Sequence, residues 1–184
     1  MNFNKHLHLE GQHAFLGASK YHWVNYNEEK LDASYKKFLA AQHGTRLHEF
    51  ASECINLGIK LPKTNKTLNL YVNDAIGYKM TTEQPLYYSE NCFGTADTIS
   101  FRKNFLRIHD LKTGESPTSI RQLEIYTALF CLEYKINPSD IETELRIYQS
   151  DQVLVHVPQP EEILYIMDKI IVFDQRIEKL KIGE

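Results

Sequence analysis

The sequence has few cysteines and places them far apart. Its three cysteines, Cys54, Cys92 and Cys131, form no CxxC pair. An odd and widely spaced set is not the pattern of a disulfide framework, and one chain with three cysteines cannot supply the four thiolates of an iron–sulphur cluster. We therefore expect a protein of a reducing compartment such as the cytoplasm, with no iron–sulphur cluster.

Long apolar runs and a surplus of basic residues are also missing. The sequence has no stretch of roughly 18 uncharged apolar residues, and its N-terminal MNFNKHLHLEGQHAF lacks the apolar run of a signal peptide. The net charge is −3, from 21 Lys and Arg against 24 Asp and Glu. We therefore expect no membrane partner, and polybasic, histone-like DNA binding is excluded as the whole function. The motifs GxxxxGK[ST], GxGxxG and GxSxG are absent, so an NTPase, a Rossmann fold and an α/β-hydrolase have no support.

The composition is that of a folded protein. Of the 184 residues, 42% are hydrophobic and 11% are aromatic, which is enough for a substantial core. The length fits one domain with appendages. We expect a single domain over 1–184, with an N-terminal arm (1–27), a core (28–157) and a C-terminal helix (158–184).

Charge is unevenly distributed along the chain. Residues 30–66 carry seven basic against three acidic residues, whereas residues 133–184 carry six basic against eleven acidic residues. A protein with one positive face can bind a polyanion even when its net charge is negative. Ordinary solvated helix faces explain the asymmetry as well, so charge permits nucleic-acid binding without arguing for it.

The spacing of apolar residues predicts the helices and strands. Helical spacing over 28–56 indicates one helix or a pair of helices that ends at Gly58, and the type of the apolar segment in 68–80 stays undecided. The remaining predictions are strands over 84–88, 94–101 and 105–111, a helix from an N-cap at Ser116 to Tyr134, a strand within 145–157 and a helix over 161–180. This order is typical of an α+β, α/β sandwich-like fold, in which helices flank a central mixed sheet with a β-meander. The apolar stripes of the helices are all explained as core and indicate no interface.

Charged residues with a chemical use lie in the predicted meander. In a strand over 107–112, Asp110 and Lys112 point to one side and Leu111 to the other. Asp97, in the preceding strand, can lie across from Asp110. Two adjacent carboxylates repel each other unless a cation neutralises them, and oxygen ligands are typical of Mg²⁺ or Mn²⁺. The simpler interpretation of the Asp–Lys pair is a surface ion pair worth under about 1 kcal/mol.

Three residues in the predicted helices are further candidates. His48 lies beside the apolar stripe of its helix among small neighbours, where it can be a third metal ligand or a simply hydrogen-bonded histidine. Gln122 and Tyr126 are four residues apart and share a helix face. They either face a substrate or form the border of an amphipathic helix.

Together these residues resemble the RecB-like branch of the PD-(D/E)xK nuclease superfamily, which includes phage and CRISPR-associated exonucleases. The family pattern is GTxxH in a helix, GxxD in a strand, D/ExK in the next strand and QxxxY in the following helix. Here the pattern stands, in the same order, as Gly44-Thr45-Arg46-Leu47-His48, Gly94-Thr95-Ala96-Asp97, Asp110-Leu111-Lys112 and Gln122-Leu-Glu-Ile-Tyr126. The match covers residues 43–135. Ala96 stands where the superfamily's name has a proline, as is common in RecB-like members.

The resemblance implies a restriction-endonuclease-like core and a role for each motif residue. It implies that His48, Asp97, Asp110 and the Leu111 carbonyl bind the metal, that Lys112 is the catalytic lysine, and that Gln122 and Tyr126 face the substrate. Glu83 stands where many relatives carry a glutamate, although a solvated acid at a strand end explains it equally well.

The function expected from this resemblance is that of a Mg²⁺- or Mn²⁺-dependent deoxyribonuclease, more specifically an exonuclease of DNA replication, recombination or repair encoded by a phage or prophage. The resemblance implies that it acts in the cytoplasm of a bacterium or of a phage-infected cell. Expected partners are DNA ends, with a recombinase, a helicase, a single-strand-binding protein or further copies of the chain as additional candidates. Residues expected to contact the DNA backbone are Lys36, Lys37, Arg46, Lys60 and Lys63. The alternative is a non-catalytic module, built on a nuclease fold, that binds DNA ends or a partner.

Overall fold

The computed structural model describes residues 7, 11, 13–114 and 116–183. The chain divides into two compact units, Met1–Thr45 and Arg46–Glu184. In the first unit, Phe15 packs against the rings of Tyr35 and Phe38, with centroid distances of 5.1 and 5.3 Å. The second unit contains the sheet and is described in the following paragraphs.

Helix α1 (Glu28–Leu57) contributes residues to both units. Its N-terminus is capped by the Asn27 side chain, which accepts a hydrogen bond from the Lys30 N–H at 2.9 Å. The helix ends where Gly58 adopts a φ of +68°, a left-handed conformation that favours glycine. The predicted helix over 28–56 and its end at Gly58 are confirmed.

Helix α2 (Thr67–Gly77) occupies the segment whose type the sequence left undecided. Tyr71, Val72 and Ala75 are its buried residues, and they share one face because they are separated by one helical turn. Its N-terminus is held by Asp151, whose carboxylate accepts a hydrogen bond from the Thr67 N–H at 2.9 Å.

A five-stranded sheet forms the centre of the second unit, with the strand order β1-β2-β3-β4-β5. The strands are β1 (Thr81–Ser89), β2 (Cys92–Arg102), β3 (Phe105–Leu111), β4 (Glu142–Gln149) and β5 (Gln152–His156). β1, β2 and β3 form the predicted antiparallel meander, and Lys103 and Asn104 make the tight turn with positive φ angles. β4 runs parallel to β3 because helix α3 (Arg121–Tyr134) crosses over between them. The prediction of an α+β fold with a mixed central sheet is confirmed.

Two predicted boundaries were wrong. Helix α3 begins at Arg121 rather than after Ser116, because the Gln149 side chain donates hydrogen bonds to the carbonyls of Gly114 and Ser116 and so holds this segment as a loop. The single strand expected within 145–157 is a hairpin of two strands, β4 and β5.

The sheet is covered on both faces. One apolar cluster joins β-strand residues to α3 and to α4 (Pro160–Lys181). The other joins α1 and α2 to the sheet, and it includes Leu111 at the end of β3. Leu111 therefore packs as predicted. Within the described residues, no helix is both long enough and apolar enough to cross a membrane.

Candidate active site

The predicted Asp–Lys pair lies at the C-terminal end of β3. The Lys112 Nζ atom is 3.0 Å from Asp110 Oδ1 and 2.9 Å from Asp110 Oδ2. Only 4% of the Asp110 side chain is exposed. The surface ion pair that the sequence also allowed is therefore wrong for Asp110, because its carboxylate is buried.

Asp97 lies against the same end of β3. Its Oδ2 atom accepts a hydrogen bond from the Leu111 backbone N–H at 2.9 Å and lies 3.4 Å from His48 Nδ1. β2 and β3 thus place the two carboxylates next to each other, and α1 brings His48 to them. The Leu111 N–H is engaged by this bond, and the Leu111 carbonyl as a metal ligand stays a prediction.

Glu83 joins this group through an unusual backbone conformation. Its φ angle is +48°, in the left-handed region that costs a non-glycine residue about 1–3 kcal/mol. One ligand atom from each of His48, Glu83 and Asp97 lies within 4.8 Å of the others. Sequence reasoning gave Glu83 little weight, since its position at the start of the meander was the one signal it carried.

The surroundings of Asp97 and Asp110 disfavour the charged form of both carboxyl groups. Burial raises the pKa of Asp97, and the Leu111 N–H and His48 oppose this shift. Burial and the neighbouring charge of Asp97 raise the pKa of Asp110, and Lys112 opposes this shift. Asp110 Oδ2 is buried and lies 2.9 Å from the Lys112 ammonium group, and Asp110 is not one of the three residues whose ligand atoms lie within 4.8 Å of one another. His48, Glu83 and Asp97, with Asp110 beside Asp97, fit a divalent cation, which would neutralise the adjacent carboxylates.

A chain of hydrogen bonds links the catalytic candidates of β3 to α3. Lys112 Nζ donates to Gln122 Oε1 at 3.0 Å, and Gln122 Nε2 donates to Tyr126 Oη at 2.9 Å. The structure thus brings Gln122 and Tyr126 together with Lys112. The lysine ammonium is held between Asp110 and Gln122.

A buried polar network supports β3 from the opposite face. His109 lies between the rings of Tyr78 and Tyr148, and its Nδ1 atom is 3.3 Å from Tyr148 Oη. Tyr148 Oη in turn donates to Asp74 Oδ2 at 2.7 Å, and Arg146 Nη1 donates to the same oxygen at 3.0 Å. Sequence reasoning missed this network because its members are far apart along the chain.

The five residues expected to contact DNA are exposed. Arg46, Lys60 and Lys63 belong to the second unit, and among its described residues none of the three enters the hydrogen bonds of the site. Lys36 and Lys37 are exposed on the part of α1 that belongs to the first unit. Their contacts with DNA stay predictions.

The structure brings together a second group of possible ligands, Glu124, His156 and Glu162. Glu124 is buried on α3, where Arg121 Nη1 lies 2.8 Å from one of its oxygens and His156 Nε2 lies 3.3 Å from the other. Glu162, the third member, accepts a hydrogen bond from the Gln159 N–H in the capping box of α4.

Comparisons with known proteins add no assignment. No family model matches the chain, and no curated protein or solved structure matches it either.

Proposed function

We propose that this protein is a metal-dependent nuclease that hydrolyses phosphodiester bonds in DNA. The observation that carries the proposal is the position of the Lys112 ammonium group. It lies against the buried Asp110 carboxylate, next to a cluster of one imidazole and two further carboxylates. This combination of residues resembles the catalytic set of RecB-like PD-(D/E)xK nucleases.

The donor set favours Mg²⁺ or Mn²⁺. Asp97, Asp110 and Glu83 offer hard carboxylate oxygens, and His48 adds a nitrogen that Mn²⁺ accepts readily. When bound, such a cation polarises a phosphate oxygen and offsets the negative charge that develops during hydrolysis. The Asp97–Leu111 hydrogen bond fixes one carboxylate in place before the cation binds, which reduces the cost of forming the site.

The role of Lys112 is to present a positive charge and a hydrogen-bond donor to the reacting groups. An ammonium group has three donors, and Asp110 and Gln122 accept two of them. The third can orient the attacking water or stabilise charge on the phosphate. Gln122 holds the amine in this orientation, and Tyr126 holds Gln122.

The proposed substrate is a DNA end, which makes the enzyme an exonuclease. The exposed lysines and arginine of α1 and of the following loop support this substrate, since phosphate contacts position nucleic acid without reading its sequence. A role in replication, recombination or repair follows from the resemblance to RecB-like exonucleases.

The test is cleavage of end-labelled linear DNA, single- and double-stranded, beside a closed circle. It is run with Mg²⁺, Mn²⁺ or EDTA on the wild type, on Lys112→Ala and on Lys103→Asn. Lys103 is a matched control because it lies in the turn before β3, at the opposite end of the strand from Lys112, and asparagine tolerates its positive φ. We expect metal-dependent degradation of the linear substrates that Lys112→Ala abolishes and Lys103→Asn retains.

Other outcomes would change the proposal in defined ways. Cutting of the closed circle would replace exonuclease by endonuclease. DNA binding without cleavage under every metal condition would contradict the nuclease and support the non-catalytic binding module.

A further inference from the structure

A groove of the second unit lies away from the candidate active site. It has a volume of about 760 Å³ and runs between α4, α3 and the start of β2. Its wall is mostly apolar and includes Cys92, Ile125, Tyr165, Ile166, Ile170 and Phe173. The groove has no histidine and shares no residue with the proposed nuclease site, so it requires a separate explanation.

Helix α4 has a second apolar stripe, which borders this groove. The first stripe is buried and contains Ile163, Ile166 and Ile170. The second contains Tyr165, Phe173 and Leu180, which are 61%, 58% and 58% exposed. The prediction that the apolar stripes of the helices are all core was therefore wrong for α4. Contiguous exposed apolar surface of this kind is typical of an interaction site.

The last two turns of α4 are exposed on every side. All residues from 175 to 183 are exposed, although Leu180 continues the second stripe and Ile177, seven residues after Ile170, continues the first. The Asn91 side chain donates hydrogen bonds to Asp174 at 2.8 Å and to Glu178 at 2.6 Å, and the Ser89 hydroxyl also donates to Asp174. These bonds attach this part of the helix to the β1–β2 turn. A helix end with no buried apolar residue has little to stabilise it. The stripe would gain most from a partner along its whole length.

We infer that the second stripe of α4 binds the same stripe of a second copy of this chain, with the two helices antiparallel. α4 carries Glu161 and Glu162 in its first turn and Lys179 and Lys181 in its last turn. A two-fold axis beside the middle of the helix brings the acidic end of one copy to the basic end of the other and opposes the helix dipoles.

The side chains of the stripe are self-complementary in this arrangement. Antiparallel pairing about residue 171 sets Tyr165 against Ile177 of the second copy and Lys169 against Phe173. Lys169 already lies over aromatic rings within one chain, 5.3 Å from the Tyr165 centroid and 5.5 Å from that of Phe173. Pairing therefore buries apolar surface and keeps the lysine in a cation–π environment. At the edge of the stripe, Glu161 lies opposite residue 181 of the second copy and within two residues of its Lys179.

The second copy of the chain should bind weakly, so that the dimer is not permanent. Two helices of 22 residues, each about 33 Å long at 1.5 Å per residue, bury less surface than the roughly 1,200 Å² of a stable interface. Association should therefore depend on concentration.

The experiment is sedimentation velocity of the full chain from roughly 1 to 200 µM, a range in which weak interfaces form and dissociate. The mass should rise from 21.5 kDa towards twice that value. Phe173→Lys should raise the dissociation constant at least about tenfold, because it removes the aromatic ring and places a second cation against Lys169 of the second copy. Leu164→Lys is the matched control, since it adds the same charge to an exposed apolar position of α4 outside the stripe. Circular dichroism checks that each variant is folded.

Exchanging the charges of Glu161 and Lys179 tests whether the two α4 helices are antiparallel. Lys179→Glu should weaken association about fivefold, because symmetry applies the reversal twice. Adding Glu161→Lys should restore it. Four results would each overturn the inference: a monomeric wild type over the whole range, equal association of Phe173→Lys and wild type, an equal loss of association in Leu164→Lys, or no restoration by the charge exchange. All four results are independent of nuclease activity.

Discussion

The ring of Tyr126 lies directly on Gly94. A Cβ atom at residue 94 would be 2.8 Å from Tyr126 Cε1, closer than real Cβ atoms approach other atoms. Gly94 begins β2's GTAD motif, and Tyr126 ends the QLEIY motif of α3. The contact therefore couples two of the four motifs, and it explains in physical terms why one of them starts with glycine.

Replacing this glycine should disturb the site without removing any of its functional groups. Gly94→Ala would displace the Tyr126 ring and, through the Tyr126–Gln122 hydrogen bond, the Lys112 amine. We expect a 10- to 100-fold lower kcat, roughly the cost of a 1 Å misplacement, and a loss of about 1–3 kcal/mol in the free energy of unfolding. Single-turnover cleavage and urea unfolding measure the two effects.

Gly77 provides the matched control for that substitution. A Cβ at residue 77 has no atom within 4 Å, and the residue is in α2. Gly77→Ala should stabilise the protein by about 0.5–1 kcal/mol and leave cleavage unchanged. Full activity in Gly94→Ala would show that the ring contact does not position Lys112.

The hydrogen bond between Lys112 and Gln122 should contribute to catalysis rather than to substrate binding. Gln122→Leu keeps the size of the side chain and removes the acceptor of the 3.0 Å bond. We expect kcat to fall about tenfold with little change in KM, since the bond orients a group that acts in the transition state. A change confined to KM would contradict this role for Gln122.

Arginine should not replace Lys112. Lys112→Arg should be as inactive as Lys112→Ala, because the planar guanidinium cannot replace the compact ammonium.

Local signals predicted the parts of the fold that depend on neighbouring residues. α1 and its end at Gly58 follow from helical spacing and a left-handed glycine. The start of α3 could not be predicted, because it depends on Gln149, which lies 33 residues from Ser116 and binds its carbonyl. A favourable cap at Ser116 was thus overridden by a contact that the local sequence does not contain.

In the candidate site, too, the features that depend on neighbouring residues could be predicted, and those that depend on tertiary structure could not. The two-residue period of a strand was enough to place Asp110 beside Lys112, and a helical spacing of four was enough for Gln122 and Tyr126. Glu83 joins the cluster through a left-handed backbone conformation within β1. A glutamate in a strand does not indicate that conformation, since left-handed backbone is uncommon outside glycine and asparagine.

Glu83 should contribute to metal affinity. Mn²⁺ at 100 times its dissociation constant should stabilise the wild type by about 2.7 kcal/mol, and the gain should disappear with EDTA. Glu83→Gln should reduce this stabilisation, because one of the charged groups within 4.8 Å becomes neutral. Thermal unfolding with and without Mn²⁺ gives both quantities.

The control for Glu83 is Glu90→Gln. Glu90 is an exposed acid in the turn after the same strand and is not part of the ligand group. Its substitution should leave the Mn²⁺-induced stabilisation unchanged. An equal effect of the two substitutions would mean that general negative charge, and not ligation by Glu83, determines the response.

His109 should make the protein less stable as the pH falls. Burial, with the charges of Arg146 and Arg107, lowers the pKa of His109 from 6.5 to about 3. Below pH 6.5 the imidazole of His109 is therefore protonated in the unfolded chain but stays neutral in the native protein. The free energy of unfolding, which is highest above pH 6.5, therefore falls on acidification down to about pH 3. The slope is about 1.4 kcal/mol per pH unit, or about 2 kcal/mol between pH 7 and pH 5.

The raised pKa values of Asp97 and Asp110 act in the opposite direction, because the native carboxylates bind protons before the unfolded ones do. The measurement is therefore the difference between wild type and His109→Gln in urea unfolding from pH 8 to pH 5. We expect the variant to lose the acid-dependent part of the wild-type destabilisation, while His43→Gln, at an exposed position, retains it. Parallel pH curves for wild type and His109→Gln would show that the native imidazole takes up its proton over the same pH range as the unfolded chain. In that case Tyr148 and Asp74 would bind a charged His109 ring, rather than a neutral one, below about pH 6.5.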